Sequence, residues 1–126
     1  MKRILGALFI GGILFCLSFF GGNYIASTCK DINDSLEVCA DKIMAQEYIE
    51  AKKISGELLF LWRKKTALLS VVLGDSTLLM PSSDIFAIYR TIGDENYQSA
   101  LVLIRECQGY FEDIIDSERL SFGNIL

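Results

Sequence analysis

The first feature of the hydrophobicity pattern is an uncharged segment at the N-terminus. Residues 4–22 contain no charged side chain, and Lys2 and Arg3 stand immediately before them. At a rise of about 1.5 Å per residue, a helix of this length spans roughly 28 Å, close to the hydrocarbon thickness of a bilayer. We therefore predict an N-terminal membrane anchor over residues 1–28. A cleaved signal peptide and a lipoprotein signal modified at Cys29 are the alternatives.

The charges that flank this segment predict its orientation. Basic residues precede it, whereas acidic residues dominate shortly after it, at Asp31, Asp34 and Glu37. Under the positive-inside rule, the N-terminus then lies in the cytoplasm. We expect residues 29–126 to form an extracytoplasmic helical domain of a single-pass cell-membrane protein.

The rest of the chain has apolar residues at spacings of three and four, which is typical of amphipathic helices. The pattern predicts helices over about residues 31–45, 48–73, 83–92 and 95–118. Gly74 ends the second of these, and residues 75–83, which include Pro81, form a connection between two halves. The predicted fold class is all-α, with an N-terminal transmembrane helix followed by a small bundle of two antiparallel helix hairpins.

A weak internal repeat relates the second predicted helix to the fourth. A shift of 49 residues superimposes seven positions of the two helices, among them Tyr48 and Tyr97, Ala51 and Ala100, and Trp62 and Phe111. An aromatic residue followed three positions later by Ala suits a helical hairpin, because the small Ala lets the neighbouring helix approach. Duplication of a hairpin and the general similarity of amphipathic helices explain the match equally well.

The composition excludes several classes of function. The 126 residues are 52% hydrophobic, carry a formal charge of -4 and contain no His. The negative charge argues against nucleic-acid binding. Without His, the commonest general base and the commonest metal ligand are missing, and no motif pairs a Ser or Cys with another base. We therefore predict that the protein is not an enzyme and needs no cofactor or metal.

Cysteines and carboxylates are the remaining candidates for chemistry. Cys29, Cys39 and Cys107 lack the paired spacing of zinc sites. Cys39 and Cys107 both lie on apolar helix faces, so they are either small buried hydrophobic residues or one disulfide. The carboxylates at residues 112, 113, 116 and 118 are interpreted as a solvated acidic face.

Three segments of the chain are similar to those of a known family. They are residues 61–64 (Leu-Trp-Arg-Lys), residues 96–101 (Asn-Tyr-Gln-Ser-Ala-Leu) and the acidic, then apolar, segment over residues 116–126. Their order resembles that in a family of small bacterial membrane-anchored helical proteins of about this length, classed as a domain of unknown function. The resemblance implies no activity and no catalytic residues. The chain departs from the family at residues 78–80, where it is more apolar.

The anchor, the missing catalytic groups and a surplus of apolar surface together predict a function in binding. We expect a non-catalytic interaction or scaffold protein on the outer face of a bacterial cytoplasmic membrane, whose partner is another membrane protein. A homodimer is an alternative. The predicted interaction surface consists of Leu59, Phe60, Val71, Leu78, Leu79 and Met80. The alternative is a small-ligand or lipid-binding module with a pocket between Trp62, Tyr89 and Phe111.

Overall fold

The protein is an antiparallel bundle of four helices. The computed structural model describes the backbone of residues 2–125 and the side chains of residues 2–14 and 24–118. The helices are α1 (Lys2–Met44), α2 (Tyr48–Leu73), α3 (Asp75–Gly93) and α4 (Tyr97–Ile125). In the described part of the chain, α1 and α3 each pack against both α2 and α4. The helices therefore run up and down around a ring, and the all-helical prediction is confirmed.

The predicted transmembrane helix is wrong. Among the described residues, no helix is long and apolar enough to cross a membrane. Residues 4–14, at the start of α1, are apolar and uncharged. The next described part of α1, from Tyr24 onward, carries charges at Lys30, Asp31 and Asp34 and packs in the bundle. Residues 15–23 of the predicted span lie outside the described side chains.

The core is built from one apolar face of each helix. Side chains three or four positions apart lie on the same side of a helix, and these faces meet inside the ring. Burying one large aliphatic side chain stabilises the fold by about 1.5–3 kcal/mol. The largest fully buried side chains include Ile25, Ile32, Leu36, Leu69, Ile85, Ile88, Ile92, Ile104 and Phe111.

The α1–α2 and α3–α4 turns have the same backbone geometry. Gln46 has a φ of 61° in the first turn, and Glu95 has a φ of 64° in the second. The N–H of each donates to the carbonyl three residues earlier, at 3.0 Å in both turns. The N–H of the next residue donates to the carbonyl five residues earlier, at 2.9 Å in both. This pair of hydrogen bonds is the Schellman motif, with a non-glycine residue in the left-handed position.

The internal repeat seen in the sequence is therefore also present in space. Tyr48 and Tyr97 stack with ring centroids 3.8 Å apart and planes inclined by 10°. Further into the core, Trp62 meets Phe111 edge to face at 5.4 Å. Amphipathic periodicity alone does not require two equivalent turns at the same 49-residue shift. The structure thus favours duplication of a hairpin over general similarity.

The start of α3 differs from the prediction. Residues 75–83 are not a connection, because α3 begins at Asp75 and includes Pro81. Leu78 and Pro81 continue the buried face that Ile85 begins, so the packing of this turn outweighs the interruption by Pro. Pro81 lacks the N–H that would donate to the carbonyl of Thr77. Thr77 is exposed, so water can donate to that carbonyl instead.

A single residue, Gly74, connects α2 to α3. Its N–H donates to the carbonyl of Ser70 at 2.9 Å, as the sequence predicts for the residue that ends α2. Its φ of 84° and ψ of 154° lie in a region that only Gly occupies readily. The chain therefore reverses direction without an extended loop.

Candidate interaction surface

Large apolar side chains are exposed at the end of the bundle where α2 meets α3. Five of them lie within six residues of Gly74, and we call this set the apolar end. Its members are Leu68, Val71, Val72, Leu79 and Met80, of which Val71 is the most exposed at 81%. Single exposed apolar residues are common on soluble domains, but a group of five at one end is typical of an interaction surface.

The first residues of α1 extend from the same end of the bundle. Lys65 on α2 donates a hydrogen bond to the hydroxyl of Tyr24 on α1, at 3.2 Å. Because the two helices are antiparallel, residues of α1 before Tyr24 lie towards the end of α2 that is nearest Gly74. The apolar side chains over residues 4–14 are all exposed. They occur on every side of the helix, which is typical of a helix that is covered by other molecules.

The six residues of the predicted interaction surface differ in their burial. Phe60, Val71, Leu79 and Met80 are exposed. Leu59 is half-buried and packs against the core. Leu78 is 2% exposed, because it lies on the same face of α3 as Ile85. The surface available to a partner therefore excludes Leu78.

Two members of the apolar end are missing from the sequence prediction. Leu68 and Val72 have helical spacing relative to Leu58 and Leu61, which favours a core position for both. In the structure, Leu69 is the buried residue of this turn, and Leu68 and Val72 are exposed. The same seven-residue step relates Trp62 to Leu69 and Leu61 to Leu68, so spacing alone does not identify the core face.

The basic run over residues 63–65 lies beside aromatic residues of the same chain. The ammonium group of Lys64 lies 4.4 Å from the centre of the Phe60 ring. That of Lys65 lies 5.4 Å from the centre of the Tyr24 ring. Each ammonium group thus occupies one face of its aromatic ring. Phe60 is therefore a weaker candidate for partner binding than the residues of the apolar end.

Asp84, on α3, follows Met80 by one helical turn and lies near α4. Its side chain is buried, and its Oδ2 atom has no hydrogen-bond partner among the described residues. Burial, and then the nearby carboxylate of Glu106, raise the pKa of Asp84. On the same face of α4, the hydroxyl of Tyr110 donates to Oε1 of Glu106 at 3.3 Å. Asp84 is thus a buried carboxyl group, whereas Glu106 is exposed to solvent.

A second polar cluster, between α1 and α4, is internally satisfied. Arg105 Nη1 donates to Oε2 of Glu37 at 2.6 Å, and Gln108 Nε2 donates to the same oxygen at 2.9 Å. Hydrogen bonds from Gln108 and then Arg105 lower the pKa of Glu37. Because the carboxylate has its partners within the chain, this cluster fixes the α1–α4 contact.

The cysteines with described side chains are structural. Cys29, Cys39 and Cys107 are all free and buried, so Cys39 and Cys107 form no disulfide in this structure. Burial raises the pKa of the Cys29 and Cys39 thiols to about 11, and it also raises the pKa of Cys107. Since the thiolate is the nucleophile and the metal ligand, these thiols are poorly suited to either role at neutral pH.

The three residues of the predicted ligand pocket are not brought together. Trp62 and Phe111 fill the core against each other, and the indole N–H of Trp62 donates to the Ser82 hydroxyl at 2.9 Å. Tyr89 is instead exposed in a groove that Lys52 also lines. The ligand-binding alternative stays a prediction, without a site formed by these three residues.

The acidic residues of α4 lie on different sides of the helix. Glu112 and Asp116 line a groove that also contains Lys30 of α1. Asp113 and Glu118 line another, with Thr77 of α3. Among the described residues, no group of three or more acidic, Cys or His side chains could hold a metal ion. The acidic run is therefore divided between two grooves.

The fold defines the protein as a small four-helix bundle assembled from two equivalent hairpins. The chain belongs to the family described as domain of unknown function DUF4363, whose model matches residues 19–125. The predicted membership in an uncharacterised family of this length is confirmed. Neither a curated protein nor a solved structure matches the chain.

Proposed function

We propose that this protein is a non-catalytic interaction protein that binds another protein through the apolar end. The observation that carries the proposal is the exposure of five large apolar side chains on both sides of Gly74. The absence of His from the chain and the raised pKa of the buried thiols support a non-catalytic role.

The proposed partner contributes an apolar surface of its own, such as one face of a helix. Leu68, Val71 and Val72 lie on one face of α2, because their spacings of three and four residues keep them together. Aliphatic side chains of this kind anchor a partner helix when water is excluded around them. A charged side chain at the centre of such a contact weakens binding by about tenfold or more.

Affinity capture from cells that express variants of the full chain tests this proposal. Val71→Asp places a charge in the apolar end, and Ile49→Asp is the matched control. Ile49 is 85% exposed and lies at the opposite end of α2, so both variants put the same charge at an exposed aliphatic position. We expect Val71→Asp to reduce recovery of the partner at least tenfold and Ile49→Asp to leave it unchanged.

Equal recovery with Val71→Asp and with the parent chain would contradict the proposal. Recovery of lipid alone, with no protein bound through Val71, would contradict it as well. A membrane-protein partner, and a position of the bundle outside the cytoplasm, stay predictions. The same capture tests both predictions, because the recovered partner can be identified and its location in the cell determined.

A further inference from the structure

A groove between α2 and α3 lies at the end of the bundle opposite the apolar end. It has a volume of about 430 Å³, and its lining residues are Lys52, Ser55, Tyr89, Arg90, Gly93 and Asp94. The first two belong to the start of α2, and the others belong to the last turns of α3 and the residue that follows it. A groove of this size can hold a small organic molecule and not only a single ion.

Two cationic side chains from different helices line this groove. Lys52 of α2 pairs with the exposed Glu95, whose Oε1 atom lies 3.5 Å from the ammonium nitrogen. Such a long contact between exposed groups contributes little to stability and is easily exchanged. Arg90 of α3 takes part in none of the ion pairs formed by the described side chains. Its guanidinium donors are therefore available to an anion in the groove.

Small residues of α2 give the groove its shape. Ser55 lines the groove although its side chain is buried, and its hydroxyl donates to the carbonyl of Lys52 at 2.9 Å. A Cβ on the next residue, Gly56, would lie 3.7 Å from Cε2 of Tyr89, so the Tyr89 ring lies close to the backbone of α2. Tyr89 is nevertheless 44% exposed. It therefore offers both an apolar ring and a hydroxyl group to a bound molecule.

The internal repeat provides a comparison within the same chain. Under the 49-residue shift, the contact of α2 with α3 corresponds to the contact of α4 with α1. Four lining residues have counterparts of different chemistry, and the pairs are Lys52 and Leu101, Ser55 and Ile104, Tyr89 and Ala40, and Arg90 and Asp41. Ile104 and Ala40 are fully buried. The α4–α1 contact therefore has no cation at these positions and packs with apolar residues instead. Folding of the bundle does not require a polar groove at this place, which favours a role in binding.

We propose that this groove binds the carboxylate group of a small organic molecule. Lys52 and Arg90 donate to the carboxylate, and Tyr89 contacts the apolar part of the molecule. Asp94 also lines the groove, so the two cations and one carboxylate leave a single positive charge. A singly charged carboxylate balances this charge better than a doubly charged phosphate ester does. The site is separate from the apolar end and adds a ligand to the proposed function.

Titration of the full chain with phenylacetate tests this site, and NMR follows the backbone amides of Gly93 and Asp94. Phenylacetamide, which has the same shape without the charge, is the control. We expect a saturable shift with phenylacetate only, and Arg90→Gln should weaken its binding about tenfold. Arg63→Gln removes an exposed Arg of α2 outside the groove and should leave the affinity unchanged. Equal binding of the two compounds, no saturable shift with phenylacetate, or equal losses in the two variants would overturn the inference.

A second variant and a second anion test the charge of the site. Glu95→Gln removes the carboxylate that competes for Lys52, so phenylacetate should bind severalfold more tightly. Glu112→Gln, at an exposed position of α4, is the control and should have no effect. Phenyl phosphate should bind no more tightly than phenylacetate. No gain in affinity from Glu95→Gln, or a preference for phenyl phosphate, would overturn the assignment to a carboxylate. These measurements do not involve the apolar end, so their failure leaves the proposed function standing.

Discussion

At the scale of single residues, Asp84 is an unfavourable group of the described core, because its Oδ2 atom is buried without a hydrogen-bond partner. Its folded-state pKa is raised, so the folded chain binds this proton more tightly than the unfolded chain does. The contribution of Asp84 to the free energy of unfolding is therefore most favourable below the ordinary pKa of an Asp carboxyl. It falls as the pH rises from that pKa through the raised pKa of folded Asp84. At neutral pH, the charged form weakens the isolated protein.

Replacing this carboxyl with a neutral group of the same shape should stabilise the protein. We expect Asp84→Asn to raise the free energy of unfolding by about 1 kcal/mol at neutral pH. The gain should disappear in acid, below the ordinary pKa of Asp, where the parent carboxyl is also neutral. Urea unfolding at neutral pH and in acid measures this gain, and Asp113→Asn, at an exposed position, is the control. A variant that is less stable than the parent at neutral pH would refute the cost assigned to the buried charge.

The two Schellman turns offer a second way to stabilise the protein by substitution. Gln46 and Glu95 have positive φ values, which cost a residue with a Cβ about 1 kcal/mol relative to Gly. We expect Gln46→Gly and Glu95→Gly each to raise the melting temperature. Lys53→Gly, at an exposed position inside α2, should lower it instead. If all three substitutions lower the melting temperature, the left-handed geometry of the turns is not the strained feature.

At the scale of elements, Gly74 controls how α2 reaches α3. Gly74→Ala should destabilise the protein by about 1–2 kcal/mol, because its φ of 84° disfavours any Cβ. Gly93→Ala is the matched control, since a Cβ there also meets nothing within 4 Å and φ is not positive. We expect this control to be neutral or slightly stabilising. Equal destabilisation by both variants in thermal unfolding would show that backbone strain at Gly74 is not the cause.

The elements also show how far the sequence predicts the fold. The bounds of α2 follow from its apolar periodicity and from Gly74, and the structure has the same bounds. The start of α3 could not be predicted in this way, because Pro81 is a strong local signal against a helix. Burial of Leu78 and Pro81 in the core outweighs that signal. Local preference is decisive only where packing does not oppose it.

Part of the interaction surface likewise could not be predicted from the sequence. Val71, Leu79 and Met80 were predicted as members and are exposed, whereas Leu78 is buried. Residues 78–80 are all apolar, so periodicity alone cannot select the one that faces the core. The packing of α3 against α2 and α4 makes that selection. The sequence does not single out Asp84, because its burial results from the packing of α3 against α4.

At the scale of the whole molecule, the bundle consists of two hairpins whose outer surfaces differ. The buried faces and the two turns repeat, as the contacts of Tyr48 with Tyr97 and of Trp62 with Phe111 show. Among the described residues, the exposed Leu79 and Met80 of α3 correspond under the 49-residue shift to the exposed Lys30 and Asp31 of α1, so this part of the apolar surface does not repeat. A surface that departs from the internal symmetry is where a partner-specific function is expected.

Site-specific photo-crosslinking tests the central claim, that the apolar end binds a protein, most directly. A photoreactive amino acid is placed at position 71 or at position 49 of the full chain and activated in living cells. Position 71 lies in the apolar end, and position 49 is equally exposed at the opposite end of the bundle. We predict a discrete crosslink to a protein from position 71 and none from position 49. The same crosslinked products from both positions, or none from position 71, would contradict the claim.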